Sequence, residues 1–161
     1  MDDPLAMITV ARRVLEAMQH GYDVAEADEL LAPDVDWYAS VGGLEPFLAE
    51  GRESVQQMFE AYRDSWAQLA FEEEAAVAAG NRVLILVRES AEGRGSGLTV
   101  EQASAGLMTL SEGRVAHVVT YIGRNRALAD LGVPEEQRAA IEPGGAYELR
   151  DGELVTLPAP G

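Results

Sequence analysis

The sequence predicts an α+β domain, with helices first and an antiparallel sheet after them. Two observations carry this. Up to about residue 69 the apolar residues recur mostly at helical spacing, and from residue 71 they alternate in long segments separated by short turns. A third observation sets the scale: 161 residues, 47% of them hydrophobic, suffice for one domain with its own core. Helices followed by hairpin-linked strands form an antiparallel sheet with helices packed on one face.

The elements follow in order. Residues 5–20, "LAMITVARRVLEAMQH", place Ile8, Ala11, Leu15 and Met18 on one helical stripe, and Gly21 stops that helix. Asp23 can cap a second short helix, "VAEADELLA", which Pro33 ends. "DVDWYAS" (34–40) reads as a strand, and the Gly- and Pro-rich "VGGLEPFLAEG" as a loop. Residues 52–69 predict a third helix with Val55, Met58, Phe59, Tyr62 and Trp66 on its apolar face. Four strands are then expected at 71–80, 82–93, 96–113 and 114–124, joined by the turn signals "GN", "GRGSG" and "SEG". "NRALADLGV" closes the unit with a helical turn. The division is therefore a domain over 1–133 and an acidic, Pro/Gly-rich tail over 134–161. In the tail, "YELRDGELVTL" fits a small hairpin turning at Asp151-Gly152. The tail is expected to be loosely attached and to add little to the core.

Composition excludes several classes. The chain has 28 acidic and 12 basic residues, a formal charge of -16, which repels nucleic acid and anionic lipid surfaces. With no cysteine there is no disulfide framework and no thiolate site, in keeping with a cytoplasmic protein. The start, "MDDPLAM", is acidic where a signal peptide is basic, and "VLILV" (83–87) is far too short to span a bilayer. His20 and His117 belong to different elements, so no metal site is expected, and no motif asks for a cofactor.

The strand around "VEQASAGLMTL" (100–110) raises a specific question. One face reads Gln102, Ser104, Gly106 and Met108, and the other Ala103, Ala105 and Leu107. Neither is a solvent face. The mixture of small polar groups and a glycine on the first points to a hollow.

Four passages carry a resemblance: "LLAPDVDWY", "GRESVQQMFEAY", "GRGSG" leading into a long strand, and "SEGRVAHVVTYIGRNRALADLGV". Over about residues 8–133 the chain resembles the SnoaL-like branch of the nuclear transport factor 2-like superfamily. The resemblance implies a cone: a curved antiparallel sheet, mixed at its edge, wrapped around three N-terminal helices and enclosing a pocket. It further implies a set of inward residues: Leu15, Trp37, Ala39, Met58, Phe59, Tyr62, Leu84, Leu86, Arg88, Ser90, Gln102, Ser104, Gly106, Met108, Ala116, Val118, Thr120 and Ile122. The convex back in such proteins often forms a dimer. Here that face would carry Ile85, Ala105, Leu107, His117, Val119 and Tyr121, with Val83, Val87, Ala103 and Val115. A face so apolar needs cover, most simply a second copy of the chain.

The steroid-isomerase members of this fold use a tyrosine, a carboxylate base and a protonated carboxyl, each with a tuned pKa. By resemblance those places fall near Leu15, Ala39 and Gly106, none of which carries a proton. The histidine common at the place of Gly106, and the acidic residues common at those of Val119 and Gly123, are also absent. No catalytic set is therefore assigned, and the best candidates are Arg88, Glu72 and Glu74. Arg88 has two readings: an anchor for a ligand carboxylate or enolate, or an ion pair with Glu72 or Glu74. His117, by parity on the convex face, reads as an interface residue. The leading function is binding of a small hydrophobic molecule, polyketide-like or terpenoid. If catalytic, it would be a cofactor-free isomerase, cyclase or dehydratase. The alternative is a non-catalytic dimeric module with a degenerate pocket that binds another protein.

Overall fold

The fold is that of a computed structural model, which describes residues 3–21, 23–41 and 47–158. Helix α1 spans Pro4–His20. Asp3 caps it by accepting from the Leu5 N–H at 3.1 Å, and Gly21, with φ of 84°, ends it by donating to the Ala17 carbonyl. Helix α2 spans Val24–Leu30, and Asp23 caps it by accepting from the Glu26 N–H at 2.9 Å. It passes directly into strand β1, Leu31–Val41, three residues earlier than expected. Pro33 is therefore not a helix stop. It lies inside β1, in the interval between Leu31 and Asp36 where the pairing with β6 shifts register. A proline has no N–H to give a ladder, so an irregular interval tolerates it.

Three further expectations are corrected. Within the expected loop, Phe47–Glu50 form an edge strand, β2, paired antiparallel to β1, while 42–46 lie outside the described residues. The third helix, α3, covers Arg52–Asp64 and stops at Ser65, whose hydroxyl donates to the Ala61 carbonyl. Trp66, one turn beyond Tyr62, belongs to strand β3, Trp66–Ala79, and pairs with Gly93. Pairing with a long neighbouring strand overrides the local helical period.

Strands β4 (Arg82–Gly93), β5 (Thr99–Ser111) and β6 (Arg114–Ile122) follow as antiparallel neighbours, then helix α4 over Asn125–Leu131. A 3-10 turn, Glu135–Ala140, leads into β7, Gly145–Arg150, and β8, Glu153–Thr156. Among the described residues the strands form one curved, unclosed sheet of eight in the order β2-β1-β6-β5-β4-β3-β7-β8. The β1–β6 and β3–β7 pairs are parallel.

The C-terminal hairpin turns at Asp151 and Gly152, both with positive φ, the backbone of a tight hairpin turn. It is not a loosely attached tail. β7 continues the sheet beside β3, Tyr147 is buried, and its hydroxyl accepts from the Glu142 N–H and donates to the Ala140 carbonyl.

Two cores lie on opposite faces of the sheet. The concave core joins α1, α2 and α3 to Trp37, Ala76, Val83, Ile85, Val87, Met108, Val115 and Val118. The convex core joins Val77, Leu84, Leu86, Ala105, Leu107 and Tyr121 to Ala127, Leu128 and Leu131 of α4 and to Tyr147. The apolar convex face is thus covered by the chain's own helix and hairpin. Ala105, Leu107 and Tyr121 are 3%, 6% and 4% exposed. The reason for expecting a second copy over these residues is met within one chain. Among the described residues no helix is long and apolar enough to cross a membrane.

Candidate functional site

The cone encloses a cavity of about 170 Å³. Leu15 and Met18 of α1 and Met58, Phe59 and Tyr62 of α3 cover it; Trp37 and Ala39 of β1 and Phe71 of β3 wall it. Its floor is Ile85, Val87 and Glu89 of β4, Gln102, Ser104, Gly106 and Met108 of β5, and Thr120 and Ile122 of β6.

Position on this floor follows from cross-strand register. Partners in an antiparallel ladder share a face. Ile85 stands opposite Gly106, Val87 opposite Ser104, and Glu89 opposite Gln102. Since Gln102, Ser104 and Gly106 face inward, their β4 partners do too. The expected inward set of β4 is therefore reversed. Leu84 and Leu86 pack in the convex core, Ile85 lines the cavity rather than the convex face, and Ser90 lies outside the cavity lining.

Arg88 is also reversed. Its side chain is 53% exposed on the outer face, with Nε 4.0 Å from Glu74 Oε1. Glu74 is held more closely by Arg124, and Glu73 by Arg12 of α1 at 2.8 Å. Glu72 stands opposite Arg88 in the ladder. Of the two readings of Arg88, the ion pair is the one its position serves.

β6 shows a second departure from simple parity. Thr109 pairs with His117 but Leu110 with Val115, so Ala116 is an extra residue in the strand. The bulge turns Val115 and Val118 to the same concave side, away from the convex face expected for Val115. Val118 packs in that core without lining the cavity. His117 is exposed and pairs with Asp36 of β1, and Val119 lies at the margin of the convex core. Among the described residues no three His, Asp or Glu side chains gather as metal ligands.

The cavity has two chemically different ends. In the dry part, Trp37 meets Phe59 edge to face, with ring centroids 4.8 Å apart at 84°. Trp37 is 1% exposed. Nearer solvent, the rings of Tyr62 and Phe71 are stacked at 6.2 Å and 9°. There Tyr62 donates its hydroxyl to Glu89 Oε1 at 2.7 Å, and Gln102 donates Nε2 to Glu89 Oε2 at 2.9 Å. β6 ends at Ile122, opposite Ser104, so Gln102 and Glu89 extend past its last residue, where Ile122 is 43% exposed.

Burial pushes the Tyr62 phenol well above its ordinary value, and the adjacent Glu89 carboxylate pushes it further. Tyr62 is accordingly a hydrogen-bond donor across the neutral range. The sequence parity that turns Arg88 inward turns its neighbour Glu89 outward, and the ladder reverses both. The signal was present in the "GRGSG" turn, which sets Glu92 opposite Thr99 and, counting along the ladder, Glu89 opposite Gln102.

Known proteins share this architecture. A protein from Burkholderia xenovorans LB400 described as NTF2-like superposes with a TM-score of 0.65 at 18% identity, over 81% of this chain and 98% of its own. A candidate SnoaL-like polyketide cyclase from Jannaschia sp. CCS1 gives 0.64 at 16% identity, over 81% and 94%. A protein of ketosteroid isomerase-like fold from Catenulispora acidiphila DSM 44928, solved in complex with trimethylamine, gives 0.61 at 17% identity, over 79% and 95%. At these identities the likeness is one of fold. Among curated proteins none matches the chain. The family model of the SnoaL-like domain matches residues 11–118, which include the C-terminal part of α1, all of α2 and α3, and most of the strands of the cone. By that match over more than half its length, the chain belongs to the SnoaL-like domain family.

Proposed function

We propose that the protein binds a small, mainly apolar molecule inside the cone. The observation that supports this is the cavity itself: an apolar chamber with one polar end, where Tyr62 and Gln102 hold Glu89. Such a contrast is what a ligand site needs, because apolar walls supply affinity and a few polar groups fix orientation. The size is adequate for a small ring system, since a dry engineered cavity of roughly 150 Å³ takes up benzene.

Gly106 allows a direct test. A Cβ built on it meets nothing nearer than Met108 Cε at 4.0 Å, so the position has room for a side chain. In Gly106→Phe the new ring fills the chamber. Isobutylbenzene, followed by calorimetry, should bind the wild type saturably at one site and fail to bind the variant, whose melting temperature should not fall. Equal binding to both proteins, or no saturable binding to the wild type, contradicts the proposal.

A further inference from the structure

We infer that the cone cavity selects a small organic cation: an amine whose apolar body fills the chamber and whose protonated nitrogen meets Glu89. This rests on the reading of the cavity as a binding site and names the chemistry of what enters it. Among the described residues Glu89 is the one charged side chain in the cavity lining, which contains no arginine or histidine. Among the described residues no ion pair involves Glu89, while Glu73 and Glu74, on the same strand pair, each have an arginine.

A carboxylate drawn partly out of water without a counter-cation is unfavourable, and a cationic ligand removes that penalty. The two donors present, the Tyr62 hydroxyl and the Gln102 amide, are both neutral and engage one oxygen each. A carboxylate has about four acceptor sites, so two donors leave it able to receive a third. They also hold it in one orientation.

Two further features favour a cation. The rings of Trp37, Phe59, Tyr62 and Phe71 line the same chamber, and aromatic faces attract ammonium groups. The formal charge of -16 enriches cations around the molecule and disfavours anions. The anion anchor that Arg88 would have supplied is on the opposite face of the sheet.

Three probes of similar size separate the terms: N,N-dimethylbenzylamine, a cation at neutral pH; its uncharged counterpart isobutylbenzene; and the anion phenylacetate. Each is titrated into wild type, Glu89→Gln and Gly106→Phe, with a melting curve for each variant. The amine should bind the wild type and phenylacetate should not. Glu89→Gln, which keeps the shape and can still accept from Tyr62, should weaken the amine about tenfold or more, as expected when a hydrogen bond to a charged group is lost. Its affinity for isobutylbenzene should not change. Gly106→Phe should remove both ligands. If Glu89→Gln binds the amine as well as the wild type does while isobutylbenzene still binds, or if phenylacetate binds as tightly as the amine, cation selection is overturned and the cavity reading stands. If Gly106→Phe leaves the binding of either probe unchanged, the cavity reading itself fails.

Discussion

Two tyrosines show how individual side chains set the behaviour of the whole chain with pH. Tyr121 is buried on the convex side and donates to Asp130 Oδ2 at 2.7 Å, and Tyr62 donates to Glu89. Burial raises both phenols above their ordinary value, and the neighbouring carboxylates add to it. Both are therefore neutral in the folded state at pH values where the unfolded chain has begun to ionise. The unfolded state then holds fewer protons, so stability falls as pH rises. This contribution is fully present below about pH 10, the ordinary tyrosine value, and is lost above it. Melting temperature measured across alkaline pH should decline less steeply in Tyr62→Phe and Tyr121→Phe than in the wild type; parallel declines would contradict the assignment. At this scale the sequence was only partly legible. Tyr62 was found from its helical stripe, but its partner Glu89 was hidden, because "VLILVRES" is apolar on both faces and parity alone could not choose between Arg88 and Glu89. Register was needed.

Elements were legible where one physical signal dominated. The capped helix α1 and the turn-separated strands β4 to β6 lie close to their expected bounds because periodicity and turn chemistry agree there. The end of α3 was not legible, since Trp66 fits both the helical stripe and the strand that pairs with Gly93. The C-terminal hairpin was recognised as a hairpin from Asp151-Gly152, but its docking was not. β7 pairs in parallel with Ala75–Ala78, far away in sequence, and local pattern has no term for such a contact. The docking makes a sharp prediction. A Cβ on Gly145 would stand 2.5 Å from the Tyr147 hydroxyl and 2.6 Å from its ring. That ring cannot swing away cheaply, because it is buried and its hydroxyl is bonded to both Glu142 and Ala140. Gly145→Ala should therefore cost about 1–3 kcal/mol by overpacking, measured by chemical denaturation. An unperturbed midpoint would mean that the hairpin does not contribute to the core.

Across its middle the sheet is buried on both sides by its own chain, and this explains both the apolar outer face and the hollow inside. Helices α1 to α3 cover the concave face and leave a chamber; α4 and the hairpin cover the convex face. Composition and strand alternation pointed to two covered faces, but not to which cover lay where. Bulges at Ala116 and between Glu73 and Ala75 shift the parity within single strands, so no uniform assignment of faces survives along them. Beside the cone cavity, a shallower hollow on β3 to β5 is lined by Leu69, Ala70, Ser90, Ala91 and Thr99. It provides the sharpest contrast for the central claim that ligand enters the cone. The direct measurement is an amide chemical-shift titration of the wild type with isobutylbenzene. Saturable shifts should concentrate on Gln102, Ser104, Gly106 and Thr120, with Ala70, Ser90 and Thr99 unmoved; shifts centred on the latter group, or on neither, would contradict the account.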